Sequence, residues 1–189
     1  MRVIGGQFGG RHLRAPPGRG TRPTTDRVRG ALFNILGPSV QGARALDLYA
    51  GSGALGIEAL SRGAMLAVFV EKARIAADTV RANLATLHLH DPSVARVLQR
   101  SIEQSVPLIA SLGPFDLCLV DPPFEAVREG TALRALADVV RGNVLHANAL
   151  VVVEIPADQP DPYIEGLAPE AVRAYGDTRL VFLRQLAAP

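Results

Sequence analysis

From about residue 42 onward, short continuous apolar runs alternate with segments whose apolar residues recur every three or four positions. The runs "ARALDLYAG", "LAVFVEK", "VARVLQ", "FDLCLV" and "ALVVVEI" have the length and β-branched content of strands buried on both faces. Between them, "SGALGIEALSRGA" predicts a turn and a helix. "RIAADTVRANLATL" predicts a helix with Ile75, Val80, Leu84 and Leu87 facing inward. Further helices are expected over 102–112 and around Leu133, Leu136, Ala137 and Val140. The last two runs, "AVRAY" and "TRLVFLRQL", are joined by Gly176-Asp177 and predict an antiparallel hairpin. Upstream, Val28, Ala31, Leu32, Ile35 and Leu36 share a helical face. Thr24 or Thr25 caps that helix, Asp26 lies in its first turn and Gly37-Pro38 ends it. The Gly-Gly pairs in "RVIGGQFGGRHLRAP" suggest a small N-terminal β-hairpin. This alternation predicts an α/β fold with a mostly parallel sheet covered on both faces.

Composition narrows the setting. The chain has 189 residues, 48% hydrophobic and 20% charged, which suits a single domain spanning 1–189. No apolar stretch approaches bilayer-spanning length and the start has no apolar signal-peptide core, so a cytoplasmic monomer is the expectation. The one cysteine, Cys118, lies within an apolar run and reads as a buried strand residue. Residues 1–30 hold seven arginines (Arg2, Arg11, Arg14, Arg19, Arg22, Arg27 and Arg29) against Asp26 alone, a local +6; the whole chain is +2, so the remainder is −4. A glycine-interleaved arginine arm suits phosphate contacts, and residues 1–38 are expected to form an RNA-binding extension of hairpin and helix. His88 and His90, two apart, do not face one another on a helix, and no metal site is expected.

In a parallel sheet the ligand binds beyond the carboxyl ends of the strands. Three features fall there: "DLYAGSG", Glu71, and Asp121-Pro122-Pro123-Phe124. Gly51-Ser52-Gly53-Ala54-Leu55-Gly56 matches a dinucleotide fingerprint, with Glu71 twenty residues beyond Gly51 as a ribose acceptor. Asp47, however, stands four residues before Gly51, where a carboxylate would repel a pyrophosphate. S-adenosylmethionine carries a sulfonium and an ammonium instead, so Asp47 favours this methyl donor over a nicotinamide or flavin cofactor. The corner at Asp121 then suits methylation of a planar amine: the Asp121 carboxylate and the rigidly held Pro122 carbonyl accept its two hydrogens, while Phe124 stacks on a base.

The segments "RPTTDRVRGALFNIL", "DLYAGSGALGIEALSRGA", "FVEK" and "DPPF", in this order and with "YGDTRLVFLR" near the end, closely resemble the RsmD family of 16S ribosomal RNA guanine-N2 methyltransferases. The resemblance implies a Rossmann-like class I methyltransferase fold with a seven-stranded sheet and S-adenosylmethionine as cofactor. It implies as substrate one guanine in 16S rRNA of a partly or fully assembled small ribosomal subunit. Carried over by position, it gives Asp47, Tyr49, Gly51, Ser52, Gly53, Glu71 and Lys72, with Asp121, to the donor, and Asp121, Pro122, Pro123 and Phe124 to the target amine. Arg11, Arg14, Arg22, Thr24, Thr25, Asp26 and Arg27 are the RNA-binding candidates. The chain departs from the family pattern at Gly30, usually a charged residue, and after the third strand, where Ser101 substitutes for the acid that often faces adenine. The Pro-Pro-aromatic corner serves any planar amine nitrogen. The residues alone therefore also allow an adenine-N6 or protein-amide methyltransferase, or a silent RNA-binding assembly factor.

Overall fold

The structure, a computed structural model, describes residues 1–17 and 25–187. Helix α1 spans Asp26–Leu36, strand β1 Arg44–Leu48, α2 Ala54–Ser61, β2 Leu66–Val70, α3 Arg74–Thr86 and β3 Ala95–Leu98. The chain continues through α4 (Ile102–Leu112), β4 (Phe115–Val120), α5 (Phe124–Arg128), α6 (Thr131–Arg141), β5 (Leu145–Pro156), β6 (Leu167–Tyr175) and β7 (Thr178–Gln185). The seven strands form one sheet in the order β3-β2-β1-β4-β5-β7-β6, with β1 to β5 parallel and β7 antiparallel to both its neighbours. The expected C-terminal hairpin is present, turned at Gly176 with φ +64°.

Helices cover both faces, because the parallel strands are apolar on both. One core joins Leu46, Val68, Val120 and Val153 to Ile109 of α4 and Leu136 of α6; the other joins Ala45, Phe69, Leu119 and Val152 to Leu32 of α1, Ile57 of α2 and Val80 of α3. The chain winds from β1 out to β3 and then returns to place β4 on the other side of β1. The crevice between the ends of β1 and β4 is thus the sheet's switch point, where ligands bind in open α/β sheets.

Several expectations about facing are corrected. Ile35 is 45% exposed and Ile75 62% exposed, whereas Phe33 and Arg29 on α1, and Asn83 on α3, are buried. Both helices present a polar residue to the interior because specific partners await it. Arg29, 0% exposed, donates to Asp26 Oδ1 at 2.9 Å and to the Arg2 carbonyl, and its Nε lies 3.8 Å from the equally buried Glu58. Glu58 also accepts from the Ile4 and Gly5 N–H groups at 2.7 and 2.9 Å and from Arg62 at 2.7 Å. The N-terminal segment is therefore sewn onto α2. The expected hairpin there amounts to a single antiparallel bridge between Arg2 and His12 around a 3₁₀ turn at Gly6–Phe8, anchored by buried Val3 and Leu13. Helix α5 was not foreseen: the two prolines bar helix before them, yet Pro123 stands as the N-cap of a short helix after them.

Candidate active site

A cavity of about 600 Å³ opens at the switch point, between the turn after β1, the ends of β2 and β4, and the start of α4. Asp47, Tyr49, Gly51, Ser52, Glu71, Lys72, Ser101, Asp121, Pro122, Pro123 and Phe124 all line it. The three sequence features thus meet in one space. Six carboxylates border the cavity (Asp47, Glu71, Glu103, Asp121, Glu125 and Glu154) against two cations, Lys72 and Arg100. Such a cleft favours a cationic ligand and disfavours a pyrophosphate.

The turn is built from within. Gly51 and Gly53 adopt φ of +56° and +79°, and Tyr49 takes φ +60°, a conformation that costs a non-glycine residue about 1–3 kcal/mol. Asp47 is buried beneath the turn, where its Oδ2 accepts from the Gly56 N–H at 2.8 Å. Burial pushes its carboxyl well above the ordinary carboxylate range, the Gly56 hydrogen bond opposes this, and the nearby Asp121 and Glu71 charges add to it. Asp47 therefore both borders the cavity and supports the start of α2. Gly56 permits that support: a Cβ there would lie 2.3 Å from Phe69 Cε1. Glu71 accepts from the Gly51 N–H at 2.9 Å and the Ala73 N–H at 2.8 Å, tying the turn to the end of β2. Lys72 lies exposed at the rim, and Ser101 caps α4 through a 3.4 Å bond from the Gln104 N–H. The Tyr49 hydroxyl is pushed up to about 12 by burial and by Glu103.

At the facing wall, Pro122 is buried and Pro123 exposed, so one proline is packed while the other turns the chain toward α5. Phe124 is partly buried, with the Arg128 guanidinium 6.0 Å from its ring centroid and Arg128 held in turn by Asp158 at 3.0 Å.

Of the expected RNA contacts, Arg11, Arg14 and Arg27 project to solvent, whereas Arg22 and Thr24 lie outside the described residues. Thr25 uses its hydroxyl to cap α1, accepting from the Val28 N–H at 3.3 Å, and Asp26 pairs with Arg29 and Arg2. Arg29 itself, counted with the basic arm, is wholly internal.

Two residues escaped the sequence reading. Asn83 accepts from the Arg14 N–H at 2.8 Å and donates to the Arg14 and Ser52 carbonyls at 3.0 and 2.8 Å, so the arm is clamped to the glycine turn and contributes Ala15 and Pro16 to the cavity wall. A polar residue at an inward helical position was its only signal. Glu154, 8% exposed, ends the run "ALVVVEI" in the cavity, its Oε1 accepting from Thr178 Oγ1 at 2.9 Å. An acid at the carboxyl end of a parallel strand is the same signal that marks Asp47 and Asp121.

Known proteins supply an independent comparison. A family model described as conserved hypothetical protein 95 matches residues 1–184. Ribosomal RNA small subunit methyltransferase D of Escherichia coli (strain K12) is 40% identical over 165 residues, 87% of this chain and 79% of that protein. The protein of the same name from Haemophilus influenzae is 37% identical over 160 residues, 85% and 81% of the two chains. Among solved structures, yhhF of Escherichia coli superposes with a TM-score of 0.83 at 36% identity, covering 100% of this chain and 99% of that one.

Proposed function

The chain belongs to the RsmD family of small-subunit ribosomal RNA methyltransferases, and on that premise we propose that it methylates the exocyclic N2 amine of a guanine in 16S rRNA. The observation that carries this reading is the junction of the Asp47 turn and the Asp121-Pro122-Pro123-Phe124 corner across one acid-lined cavity at the switch point. The lining fits S-adenosylmethionine: six carboxylates suit its cationic sulfur and ammonium, and the left-handed glycines let backbone approach closely. S-adenosylmethionine, when bound, supplies a methyl group on a positively charged sulfur. Glu71, which already orders the turn through Gly51, is the acceptor for the ribose hydroxyls.

The chain's own work is to orient a weak nucleophile. The guanine amine lone pair is delocalised into the ring, so the nitrogen must become tetrahedral as it gains a bond to carbon. The Asp121 carboxylate and the Pro122 carbonyl accept its two hydrogens and hold it in that geometry, and Phe124 stacks on the base plane. The proton leaves after positive charge has developed on nitrogen, toward Asp121. Catalysis comes chiefly from alignment, with the electrostatics of the carboxylates stabilising the developing cation. Exposed Arg11, Arg14 and Arg27 provide phosphate contacts on the same side of the molecule as the docked arm.

The test is transfer of a tritiated methyl group from S-adenosylmethionine to small subunits from a strain lacking this protein, followed by nuclease digestion. Label should appear in N2-methylguanosine. Label confined to protein, or to N6-methyladenosine, would overturn the assignment, as would no transfer at all.

A further inference from the structure

We infer that Glu154 selects the base by accepting the guanine N1–H beside the amine held by Asp121. The inference rests on the reading above and specifies which residue enforces it.

The sheet register puts the two acids side by side. On the parallel strands β4 and β5, Val120 pairs with Val153, and Asp121 and Glu154 are the next residue on each. Alternation along a strand sends both side chains to the face occupied by Leu119 and Val152, which lie in the core beneath α1 and α2, opposite to the face of Val120 and Val153. Both acids border the main cavity, and both border a smaller recess lined by Leu32, Leu55 and Leu180. Adjacent strands are about 4.8 Å apart, so two carboxylates lie next to each other on a largely apolar floor. Like charges in that arrangement repel unless a donor-rich partner lies between or across them. Thr178 donates one hydrogen bond to Glu154 Oε1, which orients the carboxylate and leaves acceptor capacity on it.

The chemistry of the bases decides what that partner is. The guanine amine is flanked by N1–H, so this edge presents a row of donors to a row of carboxylates. The adenine amine is flanked by ring nitrogens whose lone pairs point the same way, and a side-chain amide flanks its amine with a carbonyl oxygen. Both would set an acceptor against Glu154. A hydrogen-bonding site of this type rejects ligands that leave its buried polar group opposed or unpaired. Asp121 alone accepts from any amine; Asp121 with Glu154 distinguishes guanine.

The decisive analogue is 2,6-diaminopurine, which retains the 2-amine but replaces N1–H with a lone pair. Small subunits reconstituted with guanine or 2,6-diaminopurine at the methylated nucleotide would be offered to the wild type and to Glu154→Gln. The glutamine is isosteric, still accepts from Thr178, and adds an N–H₂ donor suited to the diaminopurine N1. The wild type should prefer guanine by about 100-fold in kcat/KM. E154Q should lose activity on guanine and bring the two substrates to within about tenfold, while its calorimetric affinity for S-adenosylmethionine and its melting temperature stay near wild type. An unchanged preference in E154Q, or tenfold weaker donor binding, would overturn the inference. A wild type that methylates no guanine would instead overturn the reading on which it rests.

Discussion

At the scale of the residue, Asp47 and Asp121 carry different burdens although both are acids at strand ends. Asp47 is enclosed and bound to the Gly56 N–H, with its carboxyl held above the usual range by burial. The folded state therefore holds its proton more tightly than the unfolded chain does. Stability from this group is present below the ordinary carboxylate pKa and is lost as pH rises through the raised one. Asp47→Asn keeps an acceptor for Gly56 and removes the ionisation. Urea midpoints should fall less between pH 5 and pH 8 for this variant than for the wild type, while its affinity for S-adenosylmethionine drops; parallel pH dependences would contradict the raised carboxyl. Asp121 is only half buried and meets the target amine in the proposed chemistry. Asp121→Ala should lower kcat by at least about 100-fold with the donor dissociation constant nearly unchanged, and calorimetry showing lost donor binding would exchange the two roles.

Elements join these residues into a site. Helix α2 approaches β2 so closely that Gly56 has no room for a side chain: its Cβ would meet the Phe69 ring at 2.3 Å. Gly56→Ala should destabilise the fold by about 1–3 kcal/mol in chemical denaturation and loosen the turn that begins α2. Helix α3 reaches the site through Asn83, which holds both Arg14 of the arm and the Ser52 carbonyl. Asn83→Ala leaves those groups without their clamp. Limited proteolysis near Arg14 should accelerate and donor affinity should fall together; cleavage that speeds up with donor affinity intact would show that the arm is not part of the donor wall. The span of α4 was legible in the sequence because its apolar spacing, Ser101 cap and Gly113 stop agree. The rotation of α1 was not. Ile35 satisfies the helical period yet faces water, because the rival face offers Phe33 and an arginine whose partner Glu58 lies 29 residues away on another helix.

For the whole molecule, charge is divided between an acidic cavity and a basic arm pinned beside it. Arg11, Arg14 and Arg27 are exposed, and replacing all three with glutamine should weaken binding to small subunits and reduce the salt slope by about one per lost phosphate contact. Filter binding across a potassium chloride series measures both, and an unchanged slope would remove these arginines from the RNA interface. Strand and helix alternation, the C-terminal hairpin, the glycine turn and the Asp-Pro-Pro-Phe corner were determined by the sequence itself. Period, turn chemistry and proline stiffness act over a few residues, and a linear reading captures them. Tertiary structure alone decided that Asp47 lies under its turn, that Arg29 is internal, that Asn83 clamps the arm and that Glu154 stands beside Asp121. Each depends on where a residue far along the chain comes to rest, and long-range packing and burial, which local patterning does not encode, set that position.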